Sequence, residues 1–264
     1  MKGILLAGGT GTRLSPLTAT ASKQLLPVYD RPMIFYPLNT LLQADIHDIL
    51  VIVSPEHSGN YLNLLGSLLA KRGVRISFMV QRQPRGLAEA YILAEDFLDG
   101  EPSVMILGDN IFEDDFTEAI QSFKEGGRIF AVRVPDPERF GVVEFDSSGK
   151  VLSIEEKPAT PKSEYAIPGI YIYDGRASEF AKTLQPSDRL EFEIVDMHKK
   201  YLENDALDVR QIEGGWFDTG TPDALLEAGL FAKEHELSRR FHPMLTEAIS
   251  EHSAEIKQIL SIKK

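Results

Sequence analysis

The chain has 264 residues, no cysteine and a formal net charge of −12. The missing thiols exclude disulfides and thiolate metal sites, and the acidic balance argues against nucleic acid or an anionic membrane surface as the main partner, though a phosphorylated small molecule needs only a local cluster of donors. Apolar residues make up 43% and charged residues 26% of the chain, ordinary values for a globular protein. No apolar run reaches the roughly 18 residues of a membrane span.

Met1–Ala7 carries one basic residue and too short an apolar run for a signal peptide, so it reads as a first strand and a cytosolic location is expected. Strands are expected at Gly3–Ala7, Ile49–Val53, Ile76–Val80 and Val104–Leu107, with helical patterns over Pro32–Ala44, Ser58–Lys71 and Leu87–Leu98. In the last of these Leu87, Ala90, Tyr91, Ala94, Phe97 and Leu98 share a face. This alternation predicts an α/β fold with a mostly parallel, Rossmann-like central sheet flanked by helices, and ligands bound beyond the carboxyl ends of its strands. From Arg128 onward the β runs Ile129–Val134, Val142–Phe145, Val151–Glu155 and Ile170–Tyr173 are separated by turns, predicting an added antiparallel section over the same sheet. Thr221-Pro222 is a helix start. The tail puts Leu245, Ile249, Ile256 and Leu260 on one helical face, to pack on the body or on a neighbouring subunit.

Strand one runs into Leu6-Ala7-Gly8-Gly9-Thr10-Gly11-Thr12-Arg13-Leu14, three glycines within four positions. Such a loop lets backbone N–H groups close on an anion, and Arg13 adds a planar fork of donors for phosphate oxygens. A dinucleotide fingerprint would need a third glycine where Leu14 stands, and no Walker Gly-Lys-Ser/Thr occurs. Asp30 is spaced like a ribose-binding acid but lacks that glycine context. A bare tight turn would leave the arginine and the strand-first position unexplained.

Asp109, in Gly108-Asp109-Asn110, sits at a predicted strand tip, where a carboxylate can hold a hard cation such as Mg²⁺ together with phosphate oxygens. A strand-end turn is the plainer alternative. Asp218, in Gly214-Gly215-Trp216-Phe217-Asp218-Thr219-Gly220-Thr221, is the second acid, unless it merely caps the helix at Pro222. Spacing leaves open whether the two meet. Gln81 can offer a donor and an acceptor to a pyrimidine edge, whereas Lys157 in Glu155-Glu156-Lys157-Pro158 reads by itself as a solvated charge run. His47, His57, His198, His235, His242 and His252 show no metal-ligand spacing and read as surface or locally satisfied residues.

The glycine loop, followed by Ser22-Lys23-Gln24-Leu25-Leu26-Pro27-Val28-Tyr29-Asp30-Arg31-Pro32-Met33-Ile34, resembles the signature of the sugar-1-phosphate nucleotidyltransferases, and within them the glucose-1-phosphate thymidylyltransferase branch. The similarity recurs in blocks from residue 1 to about 232. It implies a nucleotidyltransferase domain over 1–232 (nucleotide half about 1–127, sugar half about 128–232) and a helical tail over 233–264. It also implies that Asp109 and Asp218 together ligate Mg²⁺, that Lys23 serves the phosphate region and that Lys157 contacts the sugar phosphate. Leu6, Gly8, Gly9, Gly11, Thr12, Gln81, Gly86 and Gly108 would bind the nucleotide, with the Gly86 backbone reaching the base. Asn110, Gly141, Glu156 and Ile167 would bind the hexose.

The expected substrates are a pyrimidine nucleoside triphosphate (dTTP favoured) and glucose 1-phosphate, handled by an assembly of several subunits. The chain departs from the family in Arg139-Phe140-Gly141 for Arg-Tyr-Gly, in Arg189-Leu190-Glu191-Phe192-Glu193-Ile194-Val195-Asp196 for Arg-Gly-Glu-Leu-Glu-Ile-Thr-Asp, and in its tail. Uridylyl transfer, another hexose 1-phosphate, and the presence of a regulatory nucleotide-sugar site stay open. A non-catalytic sensor would be free to lose Arg13, Asp109, Lys157 or Asp218, and all four are present.

Overall fold

A computed structural model describes residues 1–9 and 11–262, apart from the side chains of 255, 256 and 258–262. In β1 (Lys2–Ala7) every residue after Lys2 is buried or nearly so, because the strand lies between two cores. Leu5 and Ala7 face one core, Ile4 and Leu6 the other. Burial on both faces is why the strand reads as an unbroken apolar run. A two-residue ladder, β2 (Pro27–Val28) with β3 (Arg31–Pro32), holds the next segment extended, so α1 (Phe35–Gln43) begins later than Pro32. There follow β4 (Asp48–Val53), α2 (Ser58–Leu65), β5 (Arg75–Val80), α3 (Glu89–Leu93), α4 (Glu95–Leu98) and β6 (Ser103–Leu107).

β1 pairs in parallel with β4 and β6, and β4 with β5. The chain therefore winds outward from β1 to β5 and then crosses to the opposite side of β1 for β6. That reversal opens a crevice at the carboxyl ends of β1 and β6, where ligands bind in open α/β sheets. Gly8 leaves β1 there and Asp109 leaves β6.

The second half contains β7 (Asn110–Phe112), α5 (Thr117–Gln121), β8 (Gly127–Arg133), β9 (Gly141–Phe145), β10 (Val151–Glu156), β11 (Tyr165–Ala166), β12 (Ile170–Tyr173), α6 (Ala177–Thr183), α7 (Ile194–Glu203), β13 (Leu207–Gln211) and β14 (Trp216–Asp218). β12 lies antiparallel between β6 and β8, so the antiparallel strands extend the sheet sideways. A ten-stranded sheet results, in the order β10-β9-β11-β8-β12-β6-β1-β4-β5, with β13 added beside β8. β13 gave little signal because Leu207 and Val209 are its only large apolar residues. β7 and β14 are three residues each, too short for any periodicity to register.

In α8 (Pro222–Glu234) the Thr221 hydroxyl accepts from the Ala224 N–H at 3.3 Å, the expected cap. α9 (Pro243–Ile262) packs on the chain's own body: Leu245 and Ala248 are buried and Ile249 lies against the same core. Arg72 pairs with Glu251 at 2.7 Å, and the His242 N–H reaches Asn39 Oδ1 at 2.7 Å. Ile256 and Leu260 lie outside the described side chains. Among the described residues no helix is long and apolar enough to cross a membrane. Thr221→Ala should cost about 1 kcal/mol through the lost cap and lower the melting temperature by about 2–4 °C. Thermal denaturation checks this, and Thr221→Ser should restore the wild-type value.

Candidate active site

The crevice holds a cavity of about 540 Å³, within the range of small-ligand sites. Leu6, Gly8, Gly9, Arg13 and Gln81 line the side next to β1 and β5; Gly141, Glu156, Lys157 and Ile167 line the side next to β9 and β12. Asp109 and Asn110 enter from β6, between the two.

The register of β14 against β7 sets Asp218 opposite Asn110, beside Asp109. Thr219, fully buried, fastens this junction by donating to the Asp109 carbonyl from its N–H (3.1 Å) and its hydroxyl (2.8 Å). Lys23 forms an ion pair with Asp109, and its Nζ stands 3.9 Å from Asp218 Oδ1. The Lys23 side chain is 6% exposed. Arg13 lies against Gly220, where a Cβ would come within 2.7 Å of Nη2. Burial, then the neighbouring Asp109, raise the Asp218 carboxyl above the usual carboxylate range, against the pull of Lys23, Arg13 and Arg139. Two acids sharing one close ammonium are still short of positive charge. Among the described residues no third His, Asp or Glu joins them. The donor set fits Mg²⁺, which takes one or two carboxylates and leaves its other positions to phosphate oxygens and water.

Asn110 is nearly fully buried and busy: its Oδ1 accepts from Gly169 N–H (2.9 Å) and Trp216 Nε1 (2.7 Å), and its Nδ2 donates to Asp109 Oδ1 (3.2 Å). One amide hydrogen remains. Gln81, also buried, donates from Nε2 to Glu89 Oε2 at 2.7 Å. Since a carboxylate only accepts, that contact fixes which end of the amide is the oxygen. Gly8 is small for this oxygen: a Cβ there would sit 2.9 Å from Gln81 Oε1.

Lys23, Gly11, Thr12 and Gly108 do not line the cavity; Lys23 is buried, whereas Thr12 is exposed. Gly11, at φ 61°, packs against Thr18 and the Lys23 side chain, and Gly108 closes on the Leu6 carbonyl and Gln24. Gly86 is on the wall at φ 99°, yet a Cβ there would lie 2.6 Å from the Phe192 nitrogen. Its lack of a side chain is needed for that backbone contact, in addition to any approach to a base. Thr10 is outside the described residues.

On the β9 side, Ile167 N–H donates to the Gly141 carbonyl at 2.8 Å, and a Cβ on Gly141 would touch Val195 at 2.9 Å. Glu156 Oε1 faces Arg189 Nη2 at 3.1 Å and Lys157 Nζ at 3.5 Å, and Lys157, though exposed, lines the cavity. Phe140 meets the Trp216 ring at 5.0 Å, a contact that needs no hydroxyl. Leu190, standing where the family pattern has glycine, takes the left-handed conformation at φ 61° and is 78% exposed.

Several wall residues had no assigned role. Gln24 has its Oε1 occupied by the Ser22 (2.8 Å) and Tyr61 (3.0 Å) hydroxyls, which leaves its Nε2 free to face the loop. Its place in the Lys-Gln-Leu-Leu-Pro block was the available signal. Arg189, in a motif read only for its departures, is held by Glu193 at 2.8 Å. His198 is buried beside Tyr171; its Nδ1 meets the Tyr173 hydroxyl at 2.5 Å, and Nε2 has no partner among the described residues. Burial pushes its imidazole down to about 3, so it is neutral near pH 7. No sequence spacing could have placed it on this wall. His235, expected to be a surface or locally satisfied residue, pairs with Glu113 at 2.8 Å.

A glycine loop, an arginine and two strand-end acids around one crevice define a phosphate-handling transferase. Residues 2–235 match the nucleotidyl transferase family model, and the chain belongs to that family. It is 48% identical over 256 residues to the glucose-1-phosphate thymidylyltransferase of Neisseria gonorrhoeae, covering 95% of this chain and 88% of that protein. Its identity to the thymidylyltransferase of Mycobacterium tuberculosis is 46% over 241 residues, 89% and 83% of the two chains. A Bacillus anthracis crystal structure assigned as a glucose-1-phosphate thymidylyltransferase, in complex with sucrose, superposes with a TM-score of 0.83 at 44% identity, covering 88% of this chain and 95% of that one. A UDP-glucose pyrophosphorylase complexed with UDP-glucose shares the fold, with a TM-score of 0.76 at 22% identity over 88% of this chain and 98% of that one.

The raised Asp218 carboxyl has a consequence for stability. Between the ordinary carboxylate range and the higher folded value the native chain holds the proton more readily than the unfolded one, so stability from this group rises as pH falls through that window. Asp218→Asn should therefore melt above wild type at pH 7 without ligand, while pyrophosphate release falls at least about 10²-fold. Calorimetry beside a turnover assay checks both; a lower melting temperature would refute the electrostatic account.

Proposed function

We propose that the chain transfers a thymidylyl group from dTTP to glucose 1-phosphate, giving dTDP-glucose and pyrophosphate. One observation carries this: a single cavity joins the phosphate loop and Gln81, the Asp109–Lys23–Asp218 cluster, and the Glu156–Lys157–Arg189 group. The names of the relatives at 46–48% identity point the same way.

The attacking atom is a phosphate monoester oxygen, mostly ionised at neutral pH because its second pKa is about 6. It bonds to the α-phosphorus as the bond from that phosphorus to the bridging oxygen breaks, and pyrophosphate leaves with the electron pair. No general base is required. The work left to the protein is holding two anions in line and stabilising the leaving group. The loop N–H groups and Arg13 take the triphosphate; Lys157 and Arg189 draw in the sugar phosphate; Glu156 accepts sugar hydroxyls, with the spare Asn110 hydrogen, Gly141 and Ile167 shaping that pocket. Lys23 orients Asp109. Asp109 and Asp218 would hold Mg²⁺, on which this family generally depends; when bound it supplies neutralisation of phosphate charge.

Gln81 supports the choice of base. Its Nε2 gives one hydrogen to Glu89 and keeps the other, so Oε1 can accept the N3–H of thymine or uracil while the second hydrogen reaches a ring carbonyl. We assign the nucleotidyltransferase unit to 1–232 with the tail from 233. Association into several subunits is supported by Leu226 and Leu230, 63% and 59% exposed on α8.

The test is pyrophosphate release with Mg²⁺ and glucose 1-phosphate, comparing dTTP, UTP, CTP and ATP. Release should be best with dTTP and weak with CTP, and Asp109→Asn should lose at least about 10²-fold. Preference for UTP would move the assignment to uridylyl transfer, and no release with any triphosphate would overturn it.

A further inference from the structure

β7 and β14 pair over three residues each, and a two-stranded ribbon of that size is marginal without outside support. Two acids just past β7 supply it at the entrance to β14. Asp114 Oδ2 accepts from the Gly214 N–H and Glu113 Oε2 from the Gly215 N–H, both at 3.0 Å. The Glu113 N–H donates in return to the Gly215 carbonyl at 2.9 Å. Neither glycine has room for a side chain: a Cβ would sit 2.5 Å from Asp114 Oδ2 at the first and 2.5 Å from the Phe231 ring at the second.

The other oxygen of Glu113 faces the C-terminal segment. Oε1 meets His235 Nδ1 at 2.8 Å, with Arg240 Nη1 at 3.9 Å. His235 stacks on Phe231 at 3.8 Å, and Phe231 lies 4.9 Å from Phe217, the neighbour of Asp218. One carboxylate thus ties the end of α8 and the segment beyond it to the ribbon that presents Asp218.

We propose that Glu113 is a positioning residue for the transfer reaction, a bridge through which the docked C-terminal segment holds Asp218 against Asp109 and Lys23. This rests on the assignment of Asp109 and Asp218 to the reaction. It makes the geometry of the acid pair depend on a contact outside the cavity. Release of the segment from Glu113 would loosen the ribbon while the cavity walls on the β9 side stay in place.

Trp216 is the chain's only tryptophan and sits in the ribbon, its Nε1 on Asn110. Its emission therefore reports the ribbon without ligand, metal or turnover. Glu113→Ala and His235→Phe, the latter keeping a ring on Phe231, should each red-shift that emission and make it easier to quench with acrylamide. Each should lower kcat on the order of tenfold, as a small misplacement does, with KM for glucose 1-phosphate unchanged. The double variant should fall no further than Glu113→Ala, and Glu113→Gln should recover most of both signals. Unchanged emission in both single variants would overturn the proposal, as would an effect of Glu113→Ala that His235→Phe does not share. If wild type released no pyrophosphate, the assigned reaction would fail while the Trp216 readout still decided whether the bridge exists.

Discussion

The site depends on one buried ammonium. Asp109 and Asp218 approach from the ends of different strands into a crevice that strips them of water, and carboxylates so placed repel each other. Lys23, 6% exposed, stands between them and makes the approach tolerable. Its partners are arranged on that premise: Thr219 binds the Asp109 carbonyl, Asn110 orients the Asp109 carboxylate, and Gly220 leaves space for Arg13. Burial, and then the neighbouring Asp109, still raise the Asp218 carboxyl. A site left short of positive charge is suited to admit a cation together with phosphate.

The location follows from winding order. Because β6 returns to the opposite side of β1 from β4 and β5, the loops after β1 and β6 diverge and leave an opening between them. The antiparallel strands continue the same sheet through β12, so the residues proposed for the sugar stand on a rigid extension of the one that carries the phosphate loop. The acid pair falls at that seam. In-line displacement needs both anions registered against each other, and a continuous sheet provides a fixed separation.

Departures from the family pattern are absorbed locally. Phe140 lacks the hydroxyl but keeps a ring contact with Trp216, and Val195 fills the space beside Gly141. Leu190 adopts a left-handed backbone, which costs roughly 1–2 kcal/mol for a residue with a Cβ, at an exposed position where nothing else must move. The tail docks on the body through Leu245, Ala248 and Arg72.

Much of this was open to reading in the primary structure. The doubly buried strands β1, β4 and β6 showed as apolar runs, the Thr221 cap marked α8, and the glycine loop and strand-end Asp109 stood out as candidate ligands for an anion and a cation, because each is a local matter of periodicity or backbone freedom. Spacing left the meeting of Asp109 with Asp218 open and the family resemblance alone implied it, whereas Lys23 with both, Gly86 with Phe192 and Glu113 with His235 were decided only by the folded chain. Each joins residues far apart in sequence through the register of a short strand or the packing of a loop, and three-residue strands carry no pattern of their own. Sequence determined which groups were available; the sheet's winding and the β7–β14 register determined which of them meet.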